Sequence, residues 1–336
     1  MRYDKKEFGT IKRLTRKTLC LGINEITVSI FALFQNEVTR KFHTFATKKQ
    51  CNQYLFMYDM KKLLVIPLLL FLCGMVYAQN PVKINPSETR HGPEKGALVI
   101  IGGGGSTNEI WDKIVELGGG KEKAFFIVVT NAAGDSAHLY ANQGRELRER
   151  IGEDRVVQLH LTNIREANDE KNLEALKKAT GVFFVGGRQW RFTDVYLNTL
   201  VHQEFWNILN RGGVISGSSA GATIQGSFLW RGDTSGPDVL IGDHTQGLGF
   251  LRNSVIDQHL LARNRQFDLE AFVKMAPNFI GIGLDEATAI VVIRDELEVM
   301  GKSVVAIYDT ESKPFFFLRN GQKYDLKERK VIRPTR

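Results

Sequence analysis

Residues 212–226 read GGVISGSSAGATIQG, and their centre, Gly217-Ser218-Ser219-Ala220-Gly221, has the G-x-S-x-G spacing. That spacing suits a serine held at the tip of a sharp strand-to-helix turn. A hydroxyl exposed there becomes a nucleophile if a base takes its proton. The neighbours must be small, because the chain doubles back on itself. Ser219 is therefore the candidate nucleophile. The amide of Ala220, at the start of the following helix, is a candidate donor to an oxyanion. A small-residue loop without chemistry can spell the same five letters, so the surrounding residues must decide.

The serine needs a base. His91 falls in a polar lead-in, His138 and His202 on amphipathic segments, and His160 inside an early strand. His244 sits in a glycine-rich loop, IGDHTQGLG, and competes with His259 in DQHLLARNRQ. With 254–261 read as a strand, period-two alternation puts Asp257 and His259 on one face, and Arg263 and Arg265 follow at once. The acid that orients the base is open among Asp233, Asp257, Asp285 and Glu286. A second glycine turn, VGGRQW at 185–190, offers the amides of Gly186 and Gly187 as the other oxyanion donor and Gln189 as a substrate contact.

Other motifs are weaker. IGGGGSTNEIW (101–111) lacks the last glycine of G-x-G-x-x-G, and no Walker lysine follows it. It reads as a close-packed loop at the same end of the sheet. No H-E-x-x-H spacing occurs, and no metal or cofactor is expected.

These residues need a scaffold. Apolar runs at 97–101, 125–129, 156–161, 181–185 and 213–216 alternate with amphipathic segments near 107–118, 138–151, 166–179 and 193–210. That alternation predicts an α/β fold whose doubly wound, mostly parallel sheet is covered on both faces. Beyond Ser219 strands crowd together at 254–261, 279–286, 287–293, 303–309 and 314–318, with one helix near 264–276. The C-terminal half is expected to add antiparallel strands to a single domain over 97–336.

The start of the chain is of another kind. From Met60 it reads MKKLLVIPLLLFLCGMVYAQN, with two lysines, an apolar run and a small-residue site after Ala78. This is the layout of a signal peptide over 60–78, so an exported protein, periplasmic or secreted, without a stable membrane anchor after cleavage, is expected. Residues 1–59 read as an upstream extension outside the fold, and 79–96 as an extended lead-in. Residues 1–59 carry 11 Lys/Arg against 5 Asp/Glu, and with Lys61 and Lys62 they account for the whole formal charge of +8. Residues 63–336 are neutral overall, which removes the argument for a nucleic-acid partner. Cys20, Cys51 and Cys73 all precede the cleavage point, so neither a disulfide nor a thiolate nucleophile is expected beyond it.

Four stretches, FFVGGRQWR, GGVISGSSAGA, DQHLLARNR and GIGLDEATAI, together resemble the cyanophycinase and aspartyl dipeptidase (peptidase E) family of serine peptidases, nearer the cyanophycinase branch. The resemblance implies a class I glutamine-amidotransferase-like (flavodoxin-like) fold and a Ser–His–Glu triad. By motif position Ser219 is then the nucleophile, His259 the base and Glu286 the acid, with Ala220 and Gly187 at the oxyanion. Gln189, Asp257, Gln258, Arg263 and Arg265 match positions that shape the substrate pocket. The implied partner is a peptide bearing aspartyl groups, and a homodimer is compatible with the resemblance. One stretch departs from it: near a third family arginine this chain has QFDLEAF, with Asp268. An esterase using the same nucleophile, and a binding protein that kept the fold without the chemistry, are the competing expectations.

Overall fold

Five short apolar segments build the part of the fold that the sequence announces: β1 (Ala97–Ile101), β2 (Phe126–Val129), β3 (Val156–Leu159), β4 (Gly181–Phe184) and β5 (Val214–Ser218). In the computed structural model, which describes residues 91–136, 142–309 and 314–333, they pair in parallel in the order β1-β5-β4-β2-β3. The chain steps outward from β2 to β3, then crosses back past β2 to β4 and β5, which is doubly wound topology. β1, β2 and β4 are buried at every position, as strands covered on both faces must be. The described residues fall within one unit, Asn85–Arg336. The extension 1–59, the proposed leader, most of the lead-in and His138 lie outside them.

The helices between these strands are α1 (Asn108–Leu117), α2 (Gly120–Lys123), α3 (Arg145–Ile151), α4 (Glu174–Lys178), α5 (Trp190–Tyr196) and α6 (Leu200–Asn210). α1 shows the usual logic. Thr107 caps it by accepting from the Ile110 amide at 3.3 Å, and Ile110, Trp111, Ile114 and Val115 form its buried stripe. The expected helix over 193–210 is two helices, because Leu197–Thr199 leave helical geometry and Thr199 caps α6.

The C-terminal half adds antiparallel strands, as expected, but divides its strands between two sheets and leaves the first one mixed rather than mostly parallel. β9 (Thr288–Ile293), β10 (Glu296–Gly301), β13 (Lys323–Asp325) and β14 (Lys330–Ile332) extend the first sheet antiparallel from β1, giving nine strands among the described residues, with parallel and antiparallel pairs in equal number. The reason is local. Short turns join β9 to β10 and β13 to β14, and hairpins can only pair antiparallel. A second sheet of five strands runs β12-β11-β8-β7-β6, with β6 (Gly226–Phe228), β7 (Leu251–Gln258), β8 (Ile280–Leu284), β11 (Val304–Tyr308) and β12 (Phe316–Arg319). Within it β6, β7 and β8 are parallel. Two further helices, α7 (Ala220–Thr223) and α8 (Glu270–Met275), follow β5 and β7.

This arrangement matters for one reason. The carboxyl ends of β1, β4, β5, β7 and β8 carry, in turn, Gly102–Gly105, Gly186–Gln189, Ser219, His259 and Asp285–Glu286.

Candidate active site

Ser219 follows β5 directly and has φ 57° and ψ −110°, a conformation side chains rarely adopt. Its amide donates to Ile101 O at 3.0 Å. The flanking glycines are needed for close approach. A Cβ on Gly217 would lie 2.3 Å from Gly221 O, and one on Gly221 would lie 2.1 Å from Phe184 O. The helix expected after the serine is a single turn, α7, which gives way to β6. So short a helix has little macrodipole, and the Ala220 amide is what remains of that contribution.

His259 does not lie on a strand, contrary to the sequence reading. β7 ends at Gln258, and His259 has φ 54°. Alternation therefore stops one residue early, and Asp257 and His259 serve different places. The imidazole meets Ser219 and Glu286: Ser219 Oγ lies 2.8 Å from His259 Nε2, and Glu286 Oε1 lies 2.6 Å from Nδ1. An ionised carboxylate only accepts, so Nδ1 carries the proton and Nε2 is left to accept from the serine hydroxyl. Burial lowers the imidazole pKa below its ordinary 6.5. Glu286 opposes that shift, and the nearby charges of Arg263 and Arg265 add to it. His259 is thus a neutral acceptor near neutral pH.

The other acids have separate duties. Asp285, beside Glu286, accepts from the Leu261 and Ala262 amides at 2.9 and 3.1 Å and from Ser303 Oγ at 2.6 Å, bracing the turn after His259. Burial works against its charge, but those hydrogen bonds prevail and hold its pKa below the ordinary value. Asp233 accepts from Ser235 on an exposed loop. His244, the competing base, is held between Asp194 and Asp243 at 2.7 and 2.8 Å. Burial disfavours its charge, yet both carboxylates raise its pKa, so it is a poor base.

The glycine run after β1 is the floor of this site, a role the sequence reading did not give it beyond close packing. Three successive carbonyls, of Ile101, Gly102 and Gly103, accept the amides of Ser219, His259 and Ala287 at 3.0, 2.9 and 2.9 Å. One turn therefore pins three loops. A Cβ on Gly103 would lie 2.3 Å from His259 Cε1, and one on Gly104 would lie 2.3 Å from Glu286 Oε2. Both glycines have positive φ, 107° and 65°. Gly103→Ala should displace the imidazole and lower kcat about 10²-fold with little change in KM. Steady-state kinetics alongside a thermal melt would check this; unchanged kcat in a folded variant would refute the packing argument.

The second glycine turn also reaches Ser219. A Cβ on Gly186 would lie 3.4 Å from Ser219 Cβ, whereas one on Gly187 (φ 137°) would run into Ala132 O at 2.0 Å. Among the described residues, the amides of Gly186, Gly187 and Ala220 have no protein acceptor, so all three are available as donors. Gln189 is buried, and its Nε2 donates to the carbonyls of Trp230 and Arg231 at 2.9 and 2.8 Å. That nitrogen braces the 230–231 chain rather than facing a ligand.

Arg231 was not anticipated. It is 4% exposed. Its Nε and Nη2 donate to Asp257 at 2.9 Å each, Nη1 donates to Pro237 O at 2.9 Å, and Nη2 also reaches Asp268. Asp257 Oδ1 accepts the Gln258 amide at 2.8 Å, and Arg265 Nη1 donates to Gln258 O at 3.0 Å and to its Oε1 at 3.2 Å. Asp257, Gln258 and Arg265 thus form a buried frame that fixes the residue before His259. Arg263, by contrast, is exposed. No local motif marks Arg231. Its partner Asp257 is 26 residues away and adjacent only once β7 is in place.

The family model described as Peptidase family S51 matches residues 98–300. A cyanophycinase of Trichormus variabilis is 34% identical over 197 residues, 56% of this chain and 65% of that protein. A cyanophycinase of Synechococcus elongatus is 28% identical over 235 residues, 67% of this chain and 72% of that protein. The chain thus spans about two thirds of the length of these curated relatives. The crystal structure of a peptidase from an acI-B1 Actinobacterium shares the fold, with a TM-score of 0.54 at 23% identity over 70% of this chain and 98% of that one.

Proposed function

We propose that this chain, which belongs to peptidase family S51, is a serine peptidase that cleaves aspartyl or β-aspartyl (isopeptide-type) bonds in the manner of a cyanophycinase. The observation that carries the reading is the contiguous chain of Ser219 Oγ, His259 and Glu286, with contacts of 2.8 and 2.6 Å. In this reading Ser219 attacks the scissile carbonyl while Nε2 of His259 takes its proton. Glu286 keeps the proton on Nδ1 and stabilises the imidazolium that forms. The Ala220 amide and one from the Gly186–Gly187 turn, with Gly187 the donor drawn from sequence, hold the oxyanion. His259 then protonates the leaving amine, and water attacks the acyl-serine with His259 again as base.

The substrate class rests on the named relatives and on Arg263, which is exposed and whose backbone amide donates to His259 O at 3.0 Å. A guanidinium there suits the carboxylate that an aspartyl acyl group carries. The glutamine-amidotransferase-like class, a homodimer and export through the 60–78 leader belong to the same proposal. The resemblance supports the first two, and the sequence MKKLLVIPLLLFLCGMVYA supports the third.

A product assay on cyanophycin, α- and β-aspartyl dipeptides, neutral dipeptides and p-nitrophenyl esters tests the reading. Hydrolysis of aspartyl peptides at higher kcat/KM than neutral dipeptides of the same size is expected. Activity confined to the esters would overturn it.

A further inference from the structure

We propose that Asn131 and Tyr196 are positioning residues for the reaction: they hold the Ala132 carbonyl against the Gly186–Gln189 turn, and so set where the amides of that turn meet the oxyanion. The inference rests on the serine-peptidase reading and adds to it two residues outside the triad.

The turn has little to fix it from within. Gly186 and Gly187 bring no side chains, and among the described residues their amides have no protein acceptor. Its support comes from the end of β2. There Asn131–Ala133 form one turn of 3-10 helix, with Asn131 and Ala132 buried. The Ala132 carbonyl accepts the Arg188 amide at 2.9 Å. The same oxygen lies against Gly187, where a Cβ would come within 2.0 Å. One carbonyl therefore sets both the place of the turn and the conformation of Gly187, whose φ is 137°. On the other side of the turn, a Cβ on Gly186 would lie 3.4 Å from Ser219 Cβ. A shift of Ala132 is thus passed toward the reacting serine through two residues of backbone.

Asn131 anchors that carbonyl. It is 3% exposed and uses both ends of its carboxamide: Nδ2 donates to Leu161 O, and Oδ1 accepts the hydroxyl of Tyr196. Leu161 lies just beyond β3, and Tyr196, fully buried, ends α5, the helix that leaves the turn. The path runs from Arg188 along α5 to Tyr196, across to Asn131, and back through Ala132 O to the Arg188 amide. That is a closed loop. Burial pushes the Tyr196 pKa far up, so its hydroxyl stays a donor at any working pH. A carboxamide paired at both ends away from water is held in one place, because losing either bond strands a buried polar group. None of these hydrogen bonds involves His259 or Glu286, so disturbing them should act on the oxyanion and not on the base.

The test uses the purified full-length protein and the better of α- and β-aspartyl-leucine as substrate. The matching aspartate semialdehyde is the probe, because its adduct with Ser219 carries an oxygen at the oxyanion position. Asn131→Ala should lower kcat about 10²-fold with KM within about twofold, the size expected of a misplaced oxyanion donor. Tyr196→Phe removes one oxygen and no packing, and should lower kcat about tenfold; it keeps the test decisive if the alanine variant fails to fold. Inhibition by the semialdehyde should weaken by the same factor as kcat/KM, while the acid limb of the pH profile stays where His259 puts it. The double variant should be no slower than Asn131→Ala alone. Unchanged kcat in folded Tyr196→Phe, or a loss that appears in KM or in a displaced acid limb instead, overturns the proposal and leaves the serine-peptidase reading standing. A folded, unaltered protein that cleaves neither dipeptide overturns that reading, and the proposal with it.

Discussion

Ser219→Ala is expected to lower kcat by about 10⁶-fold and to leave the fold intact. The size follows from what the hydroxyl does. Without it no acyl-enzyme forms, and what remains is whatever the oxyanion donors and substrate positioning supply alone. The fold should survive because Ser219 is held by its backbone, through Ile101 O, rather than by its side chain. The positive φ of residue 219 is as costly for alanine as for serine, so strain changes little between them. KM should move far less than kcat. Initial rates on the best aspartyl substrate, with a melting curve for each protein, measure both claims. Substantial residual turnover in the variant would mean that another group is the nucleophile.

Glu286→Gln is the second large effect, a loss of about 10³- to 10⁴-fold in kcat. The substitution keeps size and shape, so the imidazole stays in place. A carboxamide can donate as well as accept, and it no longer obliges Nδ1 to carry the proton. The tautomer that leaves Nε2 free for the serine loses its advantage, and the imidazolium loses its counter-charge. The pH profile adds a readout with a definite sign. Burial already sets the pKa of His259 below 6.5, and Glu286 partly offsets that. The unaltered protein is therefore expected to keep its activity as pH falls past 6.5 and to lose it only below, as the base protonates. Removing the carboxylate moves that acid limb lower still. A limb displaced upward would contradict the assigned role of Glu286.

Much of the site was legible because its residues sit at strand ends with short local signatures. Apolar runs marked β1 to β5, and small residues around Ser219 marked a turn whose tightness the Gly217 and Gly221 contacts explain. The resemblance singled out Glu286 from four acids that composition and spacing left equal. What escaped either leaves no mark in residue type or depends on partners distant in sequence. The strand β10 reads ELEVMG, with Glu296 and Glu298 breaking the apolar run, so its pairing with β9 was hidden. The division of the later strands between two sheets is a matter of which partners they find. His259 read as part of a strand, because a left-handed φ leaves no trace in residue type when the residue is not glycine. The role of Gly103 and Gly104 emerged only when the ring and carboxylate they accommodate came from residues more than 150 positions away.

Activation of Ser219 by His259 can be read from the rate of fluorophosphonate attachment across pH, with the modified residue identified by mass spectrometry. The expected result is one adduct, on Ser219, forming at a rate that rises with a midpoint below pH 6.5 and collapses in His259→Ala. An adduct on another residue, or a Ser219 that reacts as fast without the imidazole, would contradict it.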